Sequence, residues 1–435
     1  MKILLTSPPC SLCSNNESDF GFPSGAMSLA SLLKSHKKQV SVFFEEPYTP
    51  DTFSRAFASC DPDVVGFTCY STNFKSCLEL AGIVTRHNRR TYVVLGGIHA
   101  SLFPEKILCN CRDIDYVISG DSEPVFPAFL KRLEWGADMR GLPGVSFRKG
   151  CGEPVINKGI NYVVDMDTVP PFDYSLVDMN SVTNYALKNN HDFYPVFTSR
   201  GCVFRCAFCA YFPSEGKRCR AKSVPKVISE LKHLRDTYGV NKIHFHDPTF
   251  TFNRKRTYEI CRQIKKAGLG ISWYCSTRVD CVDKRLISCM EDAGCSGICF
   301  GVESFSPLLL KAMHKCTEAE RSVEILNYVS RIGMRSRATM VIGYPGENTE
   351  TLRETLRAMK RVNKDVIFQF NHFQLYPGSR IYEYYKQRGV VNDEMWFSGF
   401  SPKDFLYMLY TNSFIRLMAR FREEMIKLFP CSDKG

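Results

Sequence analysis

The chain has 435 residues, of which 44% are hydrophobic and 23% charged. This composition is typical of a folded protein with two or three domains and excludes a disordered or fibrous one. No run reaches the roughly 18 apolar residues that a membrane-spanning helix needs, so we predict no transmembrane segment. Pro8 and Pro9 interrupt the N-terminal apolar run too early for a secretory signal, and we therefore expect a cytoplasmic protein.

The chain carries a formal net charge of +12, which permits a nucleic-acid or anionic-membrane partner. Its basic residues are spread out in short groups such as Lys217 and Arg218. No basic patch joined to a nucleic-acid-binding module is visible in the sequence. A nucleic-acid partner is therefore disfavoured, and an RNA-binding or RNA-modifying protein is kept as the alternative from another class.

Short apolar strands alternate with amphipathic helices through residues 1–150. Runs rich in β-branched and aromatic residues predict strands at Lys2–Thr6, Val40–Phe44, Val64–Thr68, Tyr92–Leu95 and Tyr116–Ile118. Apolar residues at i, i+3 and i+4 predict helices at Ser24–His36, Cys77–Asn88 and Pro124–Trp135. This alternation predicts a Rossmann-like, doubly wound α/β domain with helices on both faces of a parallel sheet. Ligands of such sheets bind beyond the carboxyl ends of the strands.

Small and polar residues gather directly after these predicted strands. They are Ser7, Pro8, Cys69, Ser71, Thr72, Gly96, Gly97, His99, Gly120 and Glu123. Glycine allows a ligand to approach the backbone closely, and hydroxyl groups bond polar edges. A tight turn alone would also explain Gly96 and Gly97. No G-x-G-x-x-G follows the first strand, which disfavours a dinucleotide site.

Several segments of this region resemble the cobalamin-binding domain that is fused to many radical S-adenosylmethionine (SAM) enzymes. They are Lys2–Leu5, Asp61–Gly66, Leu95–Ala100 and Asp115–Gly120. The resemblance implies that the residues after the strands bind cobalamin. There is no D-x-H-x-x-G motif to offer a histidine as lower cobalt ligand, and some relatives keep this fold without cobalamin. Residues 151–193 are predicted to be a linker, because Pro170 and Pro171 cannot continue a helix.

Three cysteines stand close together after a further predicted strand, Tyr194–Ser199. Cys202, Cys206 and Cys209 form a C-x3-C-x2-C motif. Three thiolates on one loop can hold three corners of a [4Fe-4S] cluster and leave the fourth iron open. A zinc site would need a fourth ligand, for which Cys219 and His191 lack zinc-ribbon spacing. The motif therefore favours an iron-sulfur cluster.

With an aromatic residue before its last cysteine, this motif resembles that of the radical SAM superfamily. More strands are predicted at Lys242–His246, Ile271–Thr277, Gly297–Glu303, Ser336–Gly343 and Val366–Leu375. Together with the strand before the cysteines they make six βα units over residues 194–385, for which the resemblance implies a partial (βα)6 barrel of the TIM type. A short helical segment, residues 386–435, is expected to follow it.

Polar residues at the carboxyl ends of these strands are candidate SAM ligands, since active groups of βα barrels lie there. Asp247, Arg278 and Glu303 can meet the ammonium, carboxylate and ribose groups of SAM through charge-assisted hydrogen bonds. The resemblance adds Ser304, within the sequence G-V-E-S, and Phe208, which is expected to lie along the adenine. Glu347 could instead cap a helix.

Other histidines and cysteines receive no assignment. Cys10 and Cys13 stand on the first loop, and His244 and His246 share one face of a strand. Cys289, Cys295 and Cys299 are expected to point in different directions, which disfavours a second cluster.

The chain as a whole resembles the cobalamin-binding-domain radical SAM family, of the class B methyltransferase type. The resemblance implies a [4Fe-4S] cluster, SAM and cobalamin as cofactors, and a flavodoxin- or ferredoxin-type electron donor. It implies that a 5′-deoxyadenosyl radical activates a small-molecule, lipid or peptide substrate. Methyl transfer from methylcobalamin to an unactivated carbon, or to phosphorus, is the expected reaction. Relatives that perform cyclisation or carbon–carbon coupling without methyl transfer are the alternative, and no catalytic residue is singled out.

Overall fold

The computed structural model describes residues 1–9, 22–45, 47–148, 152–178, 181–183, 193–210 and 219–398. They form two compact units, one up to residue 183 and the other from residue 193 onward. Cys10, Cys13, His191 and most of the predicted C-terminal segment lie outside these ranges. Within them, no helix has the length and apolar character required to cross a membrane.

The first unit is built on a seven-stranded sheet. Its strands, β1 to β7, are Lys2–Thr6, Gln39–Phe43, Val64–Thr68, Tyr92–Gly96, Tyr116–Ile118, Val145–Arg148 and Pro154–Val155. They lie in the order β2-β1-β3-β4-β5-β6-β7. Strands β1 to β5 are parallel, as predicted, whereas β6 and β7 add to the edge in antiparallel orientation. These two were not predicted, because runs of four and two residues carry too little periodicity.

The helices of the first unit pack aromatic and aliphatic side chains against the sheet. They are α1 to α6, at Ser24–Ser35, Pro50–Cys60, Phe74–His87, Ile98–Leu102, Pro104–Asn110 and Phe126–Glu134. Thr49 caps the start of helix α2: its side chain accepts from the backbone N–H of Thr52 in a capping box. The buried Phe53 of this helix lies 5.8 Å, centroid to centroid, from Phe67 of β3. Such contacts bury the apolar side of each helix against the sheet.

The second unit contains a six-stranded parallel sheet and a two-stranded antiparallel ribbon. Strands β8 to β15 are Tyr194–Val196, Ser199–Arg200, Arg220–Ala221, Lys242–Phe245, Ser272–Thr277, Cys295–Glu303, Arg335–Ile342 and Ile367–His372. Helices α7 to α13 are Val224–Tyr238, Arg254–Lys266, Lys284–Asp292, Pro307–Ala312, Ala319–Arg331, Thr349–Met359 and Arg380–Gln387. The order β15-β14-β13-β12-β11-β8 places the six parallel strands beside their neighbours in sequence, as in a partial barrel.

Side chains on β14 show that this sheet has two different faces. Ser336, Ala338, Met340 and Ile342 are buried, whereas Arg337, Thr339 and Val341 between them are only partly buried. Helix α11 packs on this strand. We call the side that carries Arg337 and Thr339 the inner face. The register places Cys299 and Gly301 of β13 and Ser276 of β12 on the same side.

Candidate active site

The loop after β9 carries the predicted cluster ligands. They are Cys202, Cys206 and Cys209, and all three are partly exposed. Backbone hydrogen bonds tie the loop to two other segments: Ala207 donates to the Met313 carbonyl (2.8 Å), and Ile381 donates to the Ala207 carbonyl (3.0 Å). The loop is therefore tied to the end of helix α10 and the start of helix α13.

Arg278, at the carboxyl end of β12, faces the cysteine loop. Its Nη1 donates to Cys206 Sγ (3.4 Å), and two further nitrogens donate to the carboxylate of Asp280 at 2.9 and 2.7 Å. The guanidinium also lies 3.9 Å from the ring centroid of Phe204. Burial raises the pKa of the Cys206 thiol, while the positive charges of Lys315 and Arg278 oppose this rise. Cations beside the thiols favour the thiolate forms that a cluster needs.

The three thiols are not arranged for a single metal ion. Throughout the described part of the chain, no three His, Cys, Asp or Glu side chains converge as one ion would require. The thiolates of a cubane cluster bind separate iron atoms and need no such convergence. The cysteine loop and its facing cation thus fit a [4Fe-4S] cluster.

Glu303, the last residue of β13, forms a buried ion pair with Lys315. Its Oε1 lies 3.1 Å from Lys315 Nζ, and its Oε2 accepts from Thr339 Oγ1 (3.4 Å). A Cβ at Gly301 would lie 2.7 Å from Glu303 Oε1 and 2.9 Å from Lys315 Nζ. Because Gly301 has no side chain, it leaves room for the ion pair of Glu303 and Lys315.

The backbone around this ion pair is strained. Glu303 has φ +68°, and the residues on either side of Lys315, His314 and Cys316, have φ +52° and +51°. Non-glycine residues in the left-handed region are uncommon and often mark functional sites. Lys315 was not predicted, because it follows the short helix α10 and no strand end or motif marks it.

Asp247 is buried at the carboxyl end of β11 and holds the chain after β8. Its Oδ1 accepts from the Thr198 backbone N–H (2.7 Å), and its Oδ2 accepts from the hydroxyls of Thr198 and Ser199. These bonds use most of the accepting capacity of the carboxylate. Asp247 therefore anchors the start of the cysteine loop, and its contact with SAM stays a prediction.

The other predicted SAM residues lie at nearby strand ends or on the loop. Ser304 is buried, and its Oγ accepts from the Ser306 N–H (3.1 Å); Phe208 is partly buried on the cysteine loop. Glu347 accepts from the Gly343 N–H (2.6 Å), and burial raises its pKa to about 7. Asn348 caps α12 instead of Glu347.

In the first unit, Asn73 joins the carboxyl ends of β1 and β3. Its Nδ2 donates to the carbonyls of Pro8 (2.9 Å) and Thr68 (3.0 Å), and its Oδ1 accepts from the Tyr70 N–H (2.7 Å). Asn73 was not predicted as a site residue. The sequence marks Asn73 only by its position directly before helix α3, where asparagine is a favoured capping residue.

Cys69 and the turn that begins at Gly96 are bonded to each other. The Cys69 N–H donates to the Gly96 carbonyl (2.7 Å), and the His99 N–H donates to the Cys69 carbonyl (3.1 Å). Gly97 has φ +98°, and a Cβ there would lie 2.7 Å from the Cys69 carbonyl oxygen. The glycine is therefore needed for the close approach of these two loops.

His99 lies beneath this edge and has no exposed surface. Its Nδ1 is 2.9 Å from Ser71 Oγ, and its ring packs between Phe74 and Phe103. Desolvation lowers its pKa to about 3, so the imidazole is neutral. In this position His99 orients Ser71.

The remaining predicted cobalamin residues also lie at the carboxyl edge of this sheet. Gly120 donates to Ser101 Oγ (2.9 Å), and the buried Glu123 accepts from Ser28 Oγ (2.6 Å), which ties it to α1. A Cβ at Gly96 would meet only Ser122 Oγ, at 3.4 Å. Gly96 thus leaves its backbone open to a ligand, whereas Asn161 covers Gly120. The small and hydroxyl-bearing side chains along this edge fit a ligand such as cobalamin.

The unassigned histidines and cysteines of the second unit occupy separate places. The rings of His244 and His246 lie 4.0 Å apart, centroid to centroid. Cys289 and Cys295 both lie near Cys261, whereas Cys299 lies beside Tyr274. Cys299 therefore lies apart from the other two, as predicted, but Cys289 and Cys295 share a neighbour.

Two family models match this chain: that of the radical SAM superfamily at residues 196–359 and that of the B12 binding domain at residues 18–130. The uncharacterized methyltransferase PH0819 of Pyrococcus horikoshii is 32% identical over 386 residues, which are 88% of this chain and 83% of that protein. The protein is thus a radical SAM enzyme. It belongs to the family whose members combine the radical SAM domain with a cobalamin-binding domain.

More distant similarities cover most of the chain as well. An anaerobic magnesium-protoporphyrin IX monomethyl ester cyclase of Rubrivivax gelatinosus is 25% identical over 352 residues, which are 79% of this chain and 63% of the cyclase. The structure of TsrM, a radical SAM methyltransferase from Kitasatospora setae with cobalamin and a [4Fe-4S] cluster bound, matches with a TM-score of 0.72 at 19% identity. The match covers 89% of this chain and 75% of TsrM and confirms the predicted fold.

Proposed function

We propose that the protein is a cobalamin-dependent radical SAM methyltransferase that acts on an unactivated carbon, or on phosphorus. The observation that carries this proposal is the presence of both family domains in one chain that is similar along 88% of its length to a methyltransferase. The cofactors are a [4Fe-4S] cluster, SAM and cobalamin. A flavodoxin- or ferredoxin-type protein is the electron donor, and the substrate is a small molecule, a lipid or a peptide.

When bound, the cofactors supply the abstraction of a hydrogen atom from the substrate and a transferable methyl group. The overall reaction converts substrate, two SAM and two electrons into methylated product, 5′-deoxyadenosine, methionine and S-adenosylhomocysteine. The protein holds these groups in place and keeps water away from them.

Named residues of this chain carry those tasks. Cys202, Cys206 and Cys209 hold the cluster, and the cation of Arg278 offsets the negative charge of the thiolates. Glu303, held by its ion pair at the carboxyl end of β13, accepts hydrogen bonds from SAM. The carboxyl edge of the first sheet, from Ser7 to Glu123, binds cobalamin.

Anaerobic reconstitution with iron, sulfide and hydroxocobalamin, followed by desalting and metal analysis, tests the cofactor set. We expect about four irons and one cobalt for each chain. C206A should lose most of the iron, whereas C219A, which changes a cysteine outside the motif, should keep it. Folded wild-type protein without iron would contradict the proposal.

The second candidate is cyclisation or carbon–carbon coupling, which the similarity to the cyclase favours. The two candidates differ in the products that accumulate after addition of SAM and a reductant. Methyl transfer yields both 5′-deoxyadenosine and S-adenosylhomocysteine, whereas coupling yields no S-adenosylhomocysteine. Four irons without retained cobalt would also favour this second candidate.

A further inference from the structure

The inner face of the barrel carries polar side chains that the proposed cofactor chemistry does not use. They are His244, His246, Tyr274, Ser276, Cys299 and Arg337. Strand register aligns His244 with Tyr274, Ser276 with Cys299, and Cys299 with Arg337. Arg337 lies two residues before Thr339, which contacts Glu303. It is therefore one inward-facing position deeper in the barrel than the Glu303–Lys315 pair.

Arg337 is a cation that has no acidic partner among the described residues. Its guanidinium forms no ion pair or hydrogen bond with any part of the chain that the structure describes, and its Nε is shielded from solvent. The acidic residue above it, Glu303, is already paired with Lys315. A guanidinium that is partly withdrawn from water without a counter-charge is unfavourable unless a ligand supplies one.

Tyr274 presents a second unmatched donor to the same space. The residue is 5% exposed, and its hydroxyl has no hydrogen-bond partner of good geometry among the described residues. The neighbouring Cys299 thiol offers only a weak partner. Burial raises the pKa of Tyr274 well above its usual value, so the hydroxyl is a neutral donor, and Arg337 is near enough to oppose this rise.

We propose that Arg337 and Tyr274 bind an acidic group of the substrate, a carboxylate or a phosphate-type oxyanion, inside the barrel. Guanidinium nitrogens only donate, and an oxyanion supplies the charge and the acceptors that match them. An apolar substrate would leave both donors unpaired. This inference rests on the proposed function and names its substrate class.

The carboxylate of SAM is a less suitable source of the oxyanion. SAM would bind beside the cluster, and the cations that face the cysteine loop are Arg278 and Lys315. Arg337 lies deeper in the barrel, below Thr339. The substrate is therefore the source that the geometry favours.

Binding of inorganic phosphate to the full chain, measured by 31P NMR line broadening, tests the site without knowledge of the substrate. We expect saturable binding that R337Q weakens roughly tenfold or more and Y274F several-fold, because each removes a donor to the anion. R353Q removes an exposed arginine that pairs with Glu350 on α12 and should bind phosphate like the wild type. No saturable binding by the wild type, or equal losses in R337Q and R353Q, would overturn the proposal.

Two further measurements separate the source of the anion from effects on folding. R337K keeps the charge and should retain more phosphate binding than R337Q, while Y274F removes only an unpaired hydroxyl and is not expected to unfold the chain.

Equilibrium dialysis of SAM against cluster-loaded protein tests whether SAM is the source of the anion. R337Q should bind SAM as tightly as the wild type although it has lost affinity for phosphate. A parallel loss would assign the site to SAM and overturn the inference. If the protein holds no iron but still binds phosphate through Arg337, the proposed function is refuted, whereas the oxyanion site is supported.

Discussion

At the scale of single residues, Lys315 and Glu303 form an ion pair where either charge alone would be unfavourable. Their side chains are only 4% and 10% exposed. The free-energy cost of burying each charge is offset by its attraction to the opposite charge and, for Glu303, by the hydrogen bond from Thr339. The strained backbone at Glu303 and around Lys315 keeps both side chains in this position.

Replacing Lys315 with methionine is expected to lower the free energy of unfolding of the cofactor-free protein by about 3–5 kcal/mol. The reason is that Glu303 would remain buried without its cation. Urea unfolding followed by fluorescence measures this difference.

A double variant and a surface variant serve as controls. Adding E303Q to K315M removes the uncompensated charge, so the double variant should regain much of the lost stability. R361M breaks the exposed pair of Arg361 with Glu320 and should lower the stability far less than K315M, because solvent screens this pair. If K315M costs no more than R361M, the buried pair does not contribute as inferred.

At the scale of elements, the strand-to-helix turn from β4 to α4 determines how the carboxyl edge of the first sheet is built. Gly97 has φ +98° and ψ −175°, a combination that is close to exclusive to glycine. The turn brings the Gly96 carbonyl to the Cys69 N–H. The loops after β3 and β4 therefore form one surface.

G97A is expected to destabilise the protein by about 1–3 kcal/mol through backbone strain alone, and the contact of its Cβ with the Cys69 carbonyl adds to this cost. It should also reduce the retention of hydroxocobalamin. The matched control is G136A, at φ +62° with no atom within 4 Å of the added Cβ, which should cost about 1 kcal/mol. Equal stability of the two variants in urea unfolding would show that the turn tolerates a side chain.

At the scale of the whole molecule, the excess of 12 positive charges is spread along the sequence and is not gathered into one basic run. On the helices of the second unit, cations lie next to acidic residues: Arg254 is 3.1 Å from Asp283, and Lys284 is 2.7 Å from Glu324. Such pairs are locally neutral and reduce the field that a polyanion would meet there.

We accordingly expect RNA to bind weakly, without sequence preference, and to dissociate as salt is added. Fluorescence anisotropy with a labelled RNA should give dissociation constants of roughly 10⁻⁶–10⁻⁴ M at physiological salt, which is the range of non-specific binding. Submicromolar, sequence-selective binding at the same salt concentration would instead support the RNA-modifying alternative.

The sequence by itself was sufficient to predict those features that depend on residues close to one another along the chain. Runs of β-branched residues predicted all five parallel strands of the first sheet, because strand formation follows from local side-chain pattern. The C-x3-C-x2-C spacing placed three thiols on one loop, since residues this close in the chain cannot lie far apart.

Only the tertiary structure decided which distant residues meet. Lys315 reaches Glu303, and Tyr274 shares a space with Arg337, through strand register and packing that no local pattern encodes. Asp247 appeared in the sequence as one more polar residue at a strand end, but the fold encloses it with Thr198 and Ser199. The physical reason is that burial and hydrogen bonding are set by the surfaces that pack together, whereas the sequence specifies directly only the element on which each side chain stands.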